Sequence, residues 1–143
     1  MTNSKIAIVL VRGLVNVKTE VKDTLAMLRL KRKNHCVVIE DTPVNRGMIK
    51  KAKDYITWGE ISDETYSKLV AQRGEEFLSR EQDSKKKYTF KFLEFDGKKY
   101  KLYFRLNPPR KGFGRKGIKM PFTKGGALGN RADKINDLIE RML

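Results

Sequence analysis

The spacing of apolar residues divides residues 1–59 into three strands and two helices. An unbroken apolar run from Ile6 to Val11 predicts a buried strand, and runs from Cys36 to Glu40 and from Tyr55 to Trp58 predict two more. Gly59 is expected to stop the third strand. The stretches between the strands have helical spacing, so the predicted order is β-α-β-α-β.

The sequence also predicts where the two helices begin and which of their residues face the core. Thr19 is the expected N-cap of the first helix, and the basic run "RLKRKN" is its expected C-terminal end. Thr42 is the expected cap of the second, with Pro43 in the first helical position, where a missing N–H costs nothing. The expected core-facing residues are Val21, Leu25 and Leu28 in the first helix and Val44, Met48, Ile49 and Ala52 in the second.

The C-terminal half predicts two more helices and a hairpin. Ser62 is the expected cap of a helix that Gly74 ends, with an apolar side formed by Tyr66, Leu69 and Val70. Residues 88–106 alternate apolar and polar on both sides of Asp96-Gly97, a pair suited to a type I′ turn, and so predict a β-hairpin. Asn130 is the expected cap of a final helix with the apolar stripe Ile135, Leu138, Ile139 and Met142.

Charge divides the chain into three predicted regions. Residues 1–59, the α+β core, carry a net charge of +7, and residues 60–84, a helix and acidic linker, carry −4. Residues 85–143 form a basic extension, in which 85–131 carry +13 and 132–143 carry −1. The total of +15 exceeds what solubility needs and indicates a polyanionic partner.

The composition of the chain argues against several other classes of protein. The single Cys36 cannot form an intramolecular disulfide, which suits a reducing compartment. No apolar run approaches the roughly 20 residues that span a bilayer. The N-terminal apolar run lacks a small-residue cleavage site and is therefore expected to be a strand rather than a signal segment.

The segment "NPPRKGFGRKGIKMPFTKGGALGN", residues 107–130, holds six of the eleven glycines, six Lys or Arg, and no acidic residue. Its composition cannot form a core alone, so we expect RNA phosphates to hold it; the alternative is a disordered, solvated linker. "GFGRKG" matches G-x-G-x-x-G, but prolines precede and follow it where a dinucleotide site needs a strand and a helix. "KGGALGN" lacks the Gly-Lys-Ser/Thr end of a phosphate-binding loop.

Candidate catalytic and metal-binding residues do not converge. One histidine, His35, beside one cysteine makes no zinc site, and neighbours on a strand point to opposite faces. Cys36 is expected in the core, and His35 at a strand edge or against RNA. Glu40 and Asp41 precede a helix and are expected to stabilise its start or to pair with an Arg, rather than to act as an acid and base.

Basic residues are dense from Arg29 to His35 and in the 107–130 segment, whereas aromatic residues near them are few. Phe113, Phe122, Tyr100 and Tyr103 are the aromatic residues in reach. This balance favours recognition of folded RNA by shape and phosphate over stacking of single-stranded bases.

The stretch "LRLKRKNHCVVIEDTPVNRGMIKKAKDYITWGEI" resembles the universal large-subunit ribosomal protein family numbered thirty in bacteria and archaea and seven in eukaryotes. The residues "KNH…VIEDTP…RGMI" carry this resemblance most specifically. The tail "FRLNPPRKGF…GIK…F…GGALGNRADKINDLI…ML" is similar to the archaeal and eukaryotic extension, which the short bacterial form lacks. Since the chain starts almost at the first strand, without the long basic eukaryotic arm, it is most similar to the archaeal type.

The resemblance covers residues 5–74 and 102–143; between them the sequence departs from archaeal members, which have a longer, mainly helical segment. It implies a ferredoxin-like core, with two helices on one face of a three-stranded antiparallel sheet. It also implies a cytoplasmic, non-enzymatic structural role in the large ribosomal subunit. The implied partners are large-subunit rRNA, including 5S rRNA, and neighbouring ribosomal proteins, with no cofactor.

The residues expected to contact rRNA combine charge, position and, for Arg46, the "RGMI" match. They are Arg12, Lys18, Arg29, Lys31, Arg32, Asn34, His35, Arg46, Lys50, Arg110, Lys111, Gly112, Arg115, Lys116, Lys119, Lys124 and Arg131. Two other classes stay open: an RNA-binding or ribosome-assembly factor outside the ribosome, and a binder of anionic lipid. The latter needs a basic amphipathic helix, but the final helix is nearly neutral.

Overall fold

The computed structural model describes residues 5–75, 93–95 and 98–143. Besides two 3-10 turns, these ranges contain eleven α-helices and β-strands. In chain order they are β1 (Lys5–Leu10), α1 (Thr19–Met27), β2 (His35–Glu40), α2 (Pro43–Lys51), β3 (Ile56–Glu60), α3 (Asp63–Arg73), β4 (Leu93–Phe95), β5 (Lys98–Tyr100), β6 (Phe104–Arg105), β7 (Gly129–Asn130) and α4 (Ile135–Met142).

The main sheet has the strand order β6-β2-β1-β3-β7. The three central strands are antiparallel to one another, since β1 pairs with β2 on one side and with β3 on the other, which confirms the predicted α+β core. Two short strands from the C-terminal part of the chain widen it: β6 is antiparallel to β2, and β7 is parallel to β3. β4 and β5 form the strands of the predicted hairpin, in register from Leu93–Tyr100 to Phe95–Lys98. The predicted Asp96-Gly97 turn lies outside the described residues.

Helices cover both faces of the sheet. Ile8 of β1 packs in one buried cluster with Leu25 and Ile49 from α1 and α2. Val9, its neighbour, packs in a second cluster on the opposite face, to which α3 and α4 contribute Leu69, Val70, Ile135, Leu138, Ile139 and Met142. β1 is buried on both sides, which explains its unbroken apolar run. Among the helices that the structure describes, none is long and apolar enough to cross a bilayer.

Two predicted helix caps are confirmed. The Thr42 hydroxyl accepts a hydrogen bond from the Asn45 backbone at 3.2 Å, with Pro43 in the first position of α2. The Ser62 hydroxyl accepts one from the Thr65 backbone at 3.2 Å, and Gly74 follows the last residue of α3. Each cap satisfies one backbone N–H that the first helical turn leaves without a partner.

Three predictions about the first two helices were wrong. Lys18, not Thr19, precedes the first residue of α1, and no side chain caps that helix. α1 ends at Met27, so the basic run "RLKRKN" lies beyond it, and its last turn has no basic residue. Val44 is 74% exposed, because α2 turns it away from the sheet while Ile49 is buried.

Two boundaries differ because of tertiary contacts. Gly59 does not stop β3 but lies within it, where a Cβ atom would be only 2.1 Å from the carbonyl oxygen of Ala132. The C-terminal helix begins later than expected, at Ile135, after a 3-10 turn at Ala132–Lys134. The Asn130 side chain still accepts a hydrogen bond, from the Ala132 backbone at 2.8 Å.

Candidate nucleic-acid interface

One end of the sheet gathers the loops that hold most of the predicted RNA-binding residues. β1 ends there beside the first residue of β3, since Leu10 pairs with Ile56. Asn34, just before β2, donates its backbone N–H to Leu10 O at 2.8 Å and accepts from the Leu106 N–H at 3.2 Å. We call this end, marked by Leu10, Asn34, Ile56 and Leu106, the loop end of the sheet.

Arg12 lies at the loop end, directly after β1. Its guanidinium lies 4.9 Å from the ring centroid of Tyr55 and donates a hydrogen bond to the Asp54 carbonyl at 3.3 Å. Both contacts are to groups without a formal negative charge, so they orient the side chain and leave its charge unneutralised. Arg12 is therefore half-buried but still suited to meet an anion.

The basic run before β2 forms a tight loop. Arg29 and Asn34 both have left-handed backbones, with φ of 66° and 67°, so the chain reverses at each end of the run. Lys31 and Arg32 between them are exposed. In the part of the chain that the structure describes, the buried Asn34 Oδ1 atom has no hydrogen-bond donor. The loop thus presents cations to solvent on a backbone fixed at both ends.

His35 is the first residue of β2 and pairs with Arg105 of β6. Its ring stacks on Tyr103, with centroids 5.4 Å apart and planes inclined by 11°. Burial lowers the pKa of His35 below its ordinary value of 6.5, and the charges of Arg105 and Arg32 lower it further, against Glu75. His35 is therefore half-buried at the first position of β2, which lies between β6 and β1 and not at an edge of the sheet.

Two cations near His35, Lys101 and Arg105, were missed by sequence reasoning. Glu75, just after α3, forms ion pairs with Lys101 at 3.3 Å and with Arg105. Burial opposes ionisation of Glu75, but hydrogen bonds from Arg105 and Lys101 outweigh it and lower its pKa. Because the partners are separated by about 30 residues of sequence, no local pattern could have predicted this cluster.

Two of the predicted residues lie on α2, and a third directly precedes α1. Arg46 forms a bidentate ion pair with Asp41, which confirms the predicted pairing of that carboxylate with an Arg and lowers the pKa of Asp41. This pair lies just past the end of β2, away from the loop end. Lys50 is exposed in the last turn of α2, and Lys18 is exposed immediately before α1.

The 107–130 segment is held by protein contacts, contrary to the expectation that RNA alone replaces a core there. Ala127 and Leu128 are buried against Val11. Both donate backbone hydrogen bonds to the Met120 carbonyl, at 2.8 and 3.1 Å. Arg141 of α4 donates to two further carbonyls of the segment, those of Arg110 and Gly112, at 3.0 and 2.7 Å.

Arg131 is the central anchor of this segment, and the prediction that it contacts RNA was wrong. It is 3% exposed. Its guanidinium donates to the Thr57 hydroxyl at 2.9 Å and to the carbonyls of Phe113 and Ala127 at 2.8 and 3.1 Å. These bonds tie Phe113 and Ala127 of the 107–130 segment, the glycine-rich loop, to β3, so the side chain has a structural role.

The remaining predicted residues of the segment lie on its outer surface. All of them are exposed: Arg110, Lys111, Gly112, Arg115, Lys116, Lys119 and Lys124. Lys111 and Gly112 have left-handed backbones, which turn the chain sharply after Arg110, whose N–H donates to the Arg141 carbonyl of α4 at 3.1 Å. The segment therefore combines an inner side anchored to protein with an outer side of six cations and no carboxylate.

Lys134 and Arg141 are further cations that sequence reasoning missed. They flank the same cavity as Lys111 and Arg115, together with Asp137. Residues 134, 137 and 141 are spaced by three and four, which places them on one face of a helix. The sequence shows this spacing, but the nearly neutral net charge of the final helix gave no indication of a cationic site.

Cys36 is buried in the core, as predicted. Burial raises the pKa of its thiol to about 12, so the thiolate that a nucleophile or metal ligand needs is not formed at neutral pH. Across residues 5–75, 93–95 and 98–143, no group of three or more His, Cys, Asp or Glu side chains is placed to hold a metal ion.

The fold and surface together define a class: a small basic α+β protein with cationic loops collected at one end of its sheet. The family model described as "Ribosomal protein L30p/L7e" matches residues 6–56. Large ribosomal subunit protein uL30 of Methanopyrus kandleri is 45% identical over 92% of this chain and 99% of its own length. The proteins of the same name from Nanoarchaeum equitans and Methanococcus maripaludis are 43% and 44% identical over 96% of this chain and 97% and 98% of theirs.

The chain therefore belongs to the L30p/L7e family of ribosomal proteins. The predicted resemblance to its archaeal type is confirmed, since these relatives are archaeal proteins. The ferredoxin-like fold class implied by that resemblance is confirmed as well, with β6, β7, α3 and α4 added to the β-α-β-α-β core.

Proposed function

We propose that this chain is a non-enzymatic structural constituent of the large ribosomal subunit in the cytoplasm, where it binds and stabilises folded rRNA close to the 5S rRNA. The observation that carries the proposal is the convergence of exposed cationic loops at the loop end of the sheet. Membership of a ribosomal protein family, and relatives named as large-subunit proteins, support the subunit assignment. The 5S rRNA part rests on the resemblance to archaeal members.

The proposed contacts are mainly to phosphates. Exposed Lys and Arg side chains would displace counterions condensed on the RNA, which makes binding strong and salt-dependent. The residues proposed to contact rRNA are Arg12, Lys18, Arg29, Lys31, Arg32, Asn34, His35, Arg46, Lys50, Arg110, Lys111, Gly112, Arg115, Lys116, Lys119 and Lys124. Arg46 would act with its charge partly offset by Asp41, so we expect it to contribute less than the unpaired cations.

Anchoring of the 107–130 segment to the sheet supports this function energetically. Ordering a flexible residue costs roughly 1–2 kcal/mol, so a disordered loop of this length would oppose binding by tens of kcal/mol. The bonds from Arg131 and Arg141 fix much of the loop within the protein itself. Most of the conformational entropy of the loop is therefore lost when the protein folds and not when it binds RNA. A larger part of the RNA contact energy then contributes to affinity.

The charge distribution indicates which side faces away from RNA. Lys68 of α3 forms ion pairs with Glu64 at 3.6 Å and with Glu140 of α4 at 3.2 Å. Lys68 is thus paired with carboxylates of its own helix and of α4, and does not present an unpaired charge. We expect the α3 surface to face solvent or a neighbouring ribosomal protein.

Sedimentation of a cell extract through sucrose gradients tests the proposal. We expect the protein, followed by mass spectrometry, to co-migrate with the large subunit at about one copy per particle and to resist a high-salt wash, as many cooperating phosphate contacts require. Migration with light material, or loss at modest salt, would contradict it. That result would favour an RNA-binding or ribosome-assembly factor that binds only transiently.

A further inference from the structure

A cavity of about 520 Å³ lies between the glycine-rich loop and α4. Its volume falls within the roughly 300–1,000 Å³ typical of ligand pockets. Its charged lining consists of five cations and one carboxylate, with Phe113 and Phe122 as its aromatic part. The charged residues are Lys111, Arg115, Arg131, Lys134, Arg141 and Asp137.

The buried cation of this cavity has no carboxylate partner among the described residues. Arg131 is 3% exposed, and its hydrogen bonds go to a hydroxyl and two backbone carbonyls. Burial, together with the nearby charge of Arg141 and against that of Asp137, lowers the pKa of Arg131 to about 10. The guanidinium is still charged at neutral pH, so a buried positive charge borders the cavity.

The single carboxylate is already engaged. Asp137 Oδ2 lies 3.2 Å from Arg141 Nε, one helical turn away on α4. Within the described residues, Lys111, Arg115 and Lys134 form no ion pair. The cavity therefore has four cations beyond this ion pair, and an anionic group of an incoming ligand would offset part of their charge.

Phe122 gives the cavity an aromatic component. The Cζ atom of Arg131 lies 4.7 Å from its ring centroid, and the Nζ atom of Lys134 lies 5.6 Å from it. The ring is half-buried and fixed by these cations. A phosphate alone would use only the charged side, whereas a nucleotide would use both the cations and the ring.

We propose that this cavity binds one unstacked nucleotide of single-stranded RNA, with its phosphate among Lys111, Arg115 and Lys134 and its base against Phe122. The inference rests on the proposed function and deepens it, since it adds a site for an extruded nucleotide to an interface that otherwise contacts folded RNA through phosphates. Arg131 contributes positive potential from beneath the cavity while it anchors the loop.

The test is an NMR titration of the ¹⁵N-labelled full chain with three probes: a uridine hexanucleotide, an RNA duplex of matched length, and inorganic phosphate. We expect the hexanucleotide to shift the amide signals of Gly112 and Gly114 and the Nε–H signal of Arg131, and to saturate. The duplex can contact the exposed cations of the loop, but it should leave the Arg131 Nε–H signal in place because it offers no unstacked base to Phe122. Inorganic phosphate should bind at least about tenfold more weakly, because it makes no contact with Phe122.

Matched variants separate the cavity from general electrostatics. Lys111→Gln and Arg115→Gln remove exposed cavity cations, and each should weaken hexanucleotide binding about tenfold. Lys119→Gln makes the same charge change in the same loop but outside the cavity lining, and should weaken it about twofold at most. Phe122→Leu should weaken hexanucleotide binding and leave phosphate binding unchanged. The exposed positions of Lys111, Arg115 and Lys119 make misfolding no explanation for a difference among them.

The outcomes also separate this inference from the proposed function. Equal effects of Lys111→Gln and Lys119→Gln, or equal affinities for phosphate and hexanucleotide, would overturn the nucleotide site. Co-sedimentation with the large subunit would be untouched by either result. Loss of co-sedimentation, with hexanucleotide binding in the cavity retained, would instead remove the ribosomal role.

Discussion

The Nε–H of Arg131 donates a hydrogen bond to the Thr57 hydroxyl oxygen at 2.9 Å, across 74 positions of sequence. The same hydroxyl donates to the Gly129 carbonyl, also at 2.9 Å. Thr57 is in β3 and fully buried, so this chain of hydrogen bonds joins the C-terminal segment to the centre of the molecule. The glycine-rich loop is thereby closed on protein at the point where its sequence suggested only RNA would hold it.

Thr57→Val should destabilise the fold. Valine has nearly the shape of threonine, but it leaves the Arg131 Nε–H and the Gly129 carbonyl without their buried partner. The expected loss is about 1–3 kcal/mol of unfolding free energy, measured by urea denaturation. Thr57→Ser keeps the hydroxyl and serves as the control. Equal losses for both variants would show that packing, rather than the hydrogen bonds, stabilises this position.

Amide hydrogen exchange should divide the loop into an anchored and an open part. The Ala127 and Leu128 amides donate to the Met120 carbonyl in buried surroundings, whereas Arg115 and Lys119 are exposed. In the free protein we expect the first two amides to exchange at least about tenfold more slowly than the others, which corresponds to about 1.4 kcal/mol. Uniformly fast exchange from residue 107 to residue 130 would contradict the anchoring.

Two glycines offer a matched pair for stability. At Gly59 a Cβ atom would lie 2.1 Å from the Ala132 carbonyl oxygen and 2.8 Å from Ile135 Cβ, so Gly59→Ala must push α4 from the sheet. We expect it to cost about 1–3 kcal/mol. At Gly47, in α2, a Cβ atom would meet nothing within 4 Å, so Gly47→Ala should stabilise by about 0.5–1 kcal/mol. Chemical denaturation of both variants measures the difference, and a harmless Gly59→Ala would contradict the close packing of α4.

His35 should make stability depend on pH. Its pKa in the folded state is lowered from 6.5 by burial and by Arg105 and Arg32, against the charge of Glu75. The folded state therefore favours the neutral imidazole, and this stabilisation is complete above pH 6.5 and lost as the pH falls below it. His35→Phe keeps a ring against Tyr103 without a titrating group. The unfolding free energy should therefore fall more between about pH 7.5 and pH 5 in the wild type than in this variant. Equal falls in the two proteins would show that the titration of His35 is not coupled to folding.

Local chemistry explains which parts of the fold were predictable. The cap at Thr42 with Pro43, the cap at Ser62, and the apolar run of β1 depend on neighbouring residues, and all three were predicted. Thr19 has equally suitable chemistry for a cap, but the helix begins one residue earlier. A local signal thus gives the element reliably and its first residue less so.

The predictions that failed depend on contacts between residues that are distant in sequence. Gly59 resembles a strand terminator, but the close approach of α4 requires a glycine there. Arg131 resembles its basic neighbours in sequence, yet it is buried because its hydrogen-bond partners come from residues 57, 113 and 127. β7 pairs in parallel with β3 across about 70 residues, which no periodicity reveals. The exposure of Lys31, Arg32 and the cations of residues 110–124, by contrast, was predicted correctly because charged side chains seldom lie in a core.

The most direct test of the RNA-facing surface is ultraviolet cross-linking of isolated large subunits, with mass spectrometry to identify the cross-linked residues and sequencing to identify the RNA. We expect cross-links at residues 29–35 and 110–124, with 5S rRNA among the nearby RNA segments. Cross-links confined to the surface of α3, with none at the loop end of the sheet, would contradict it.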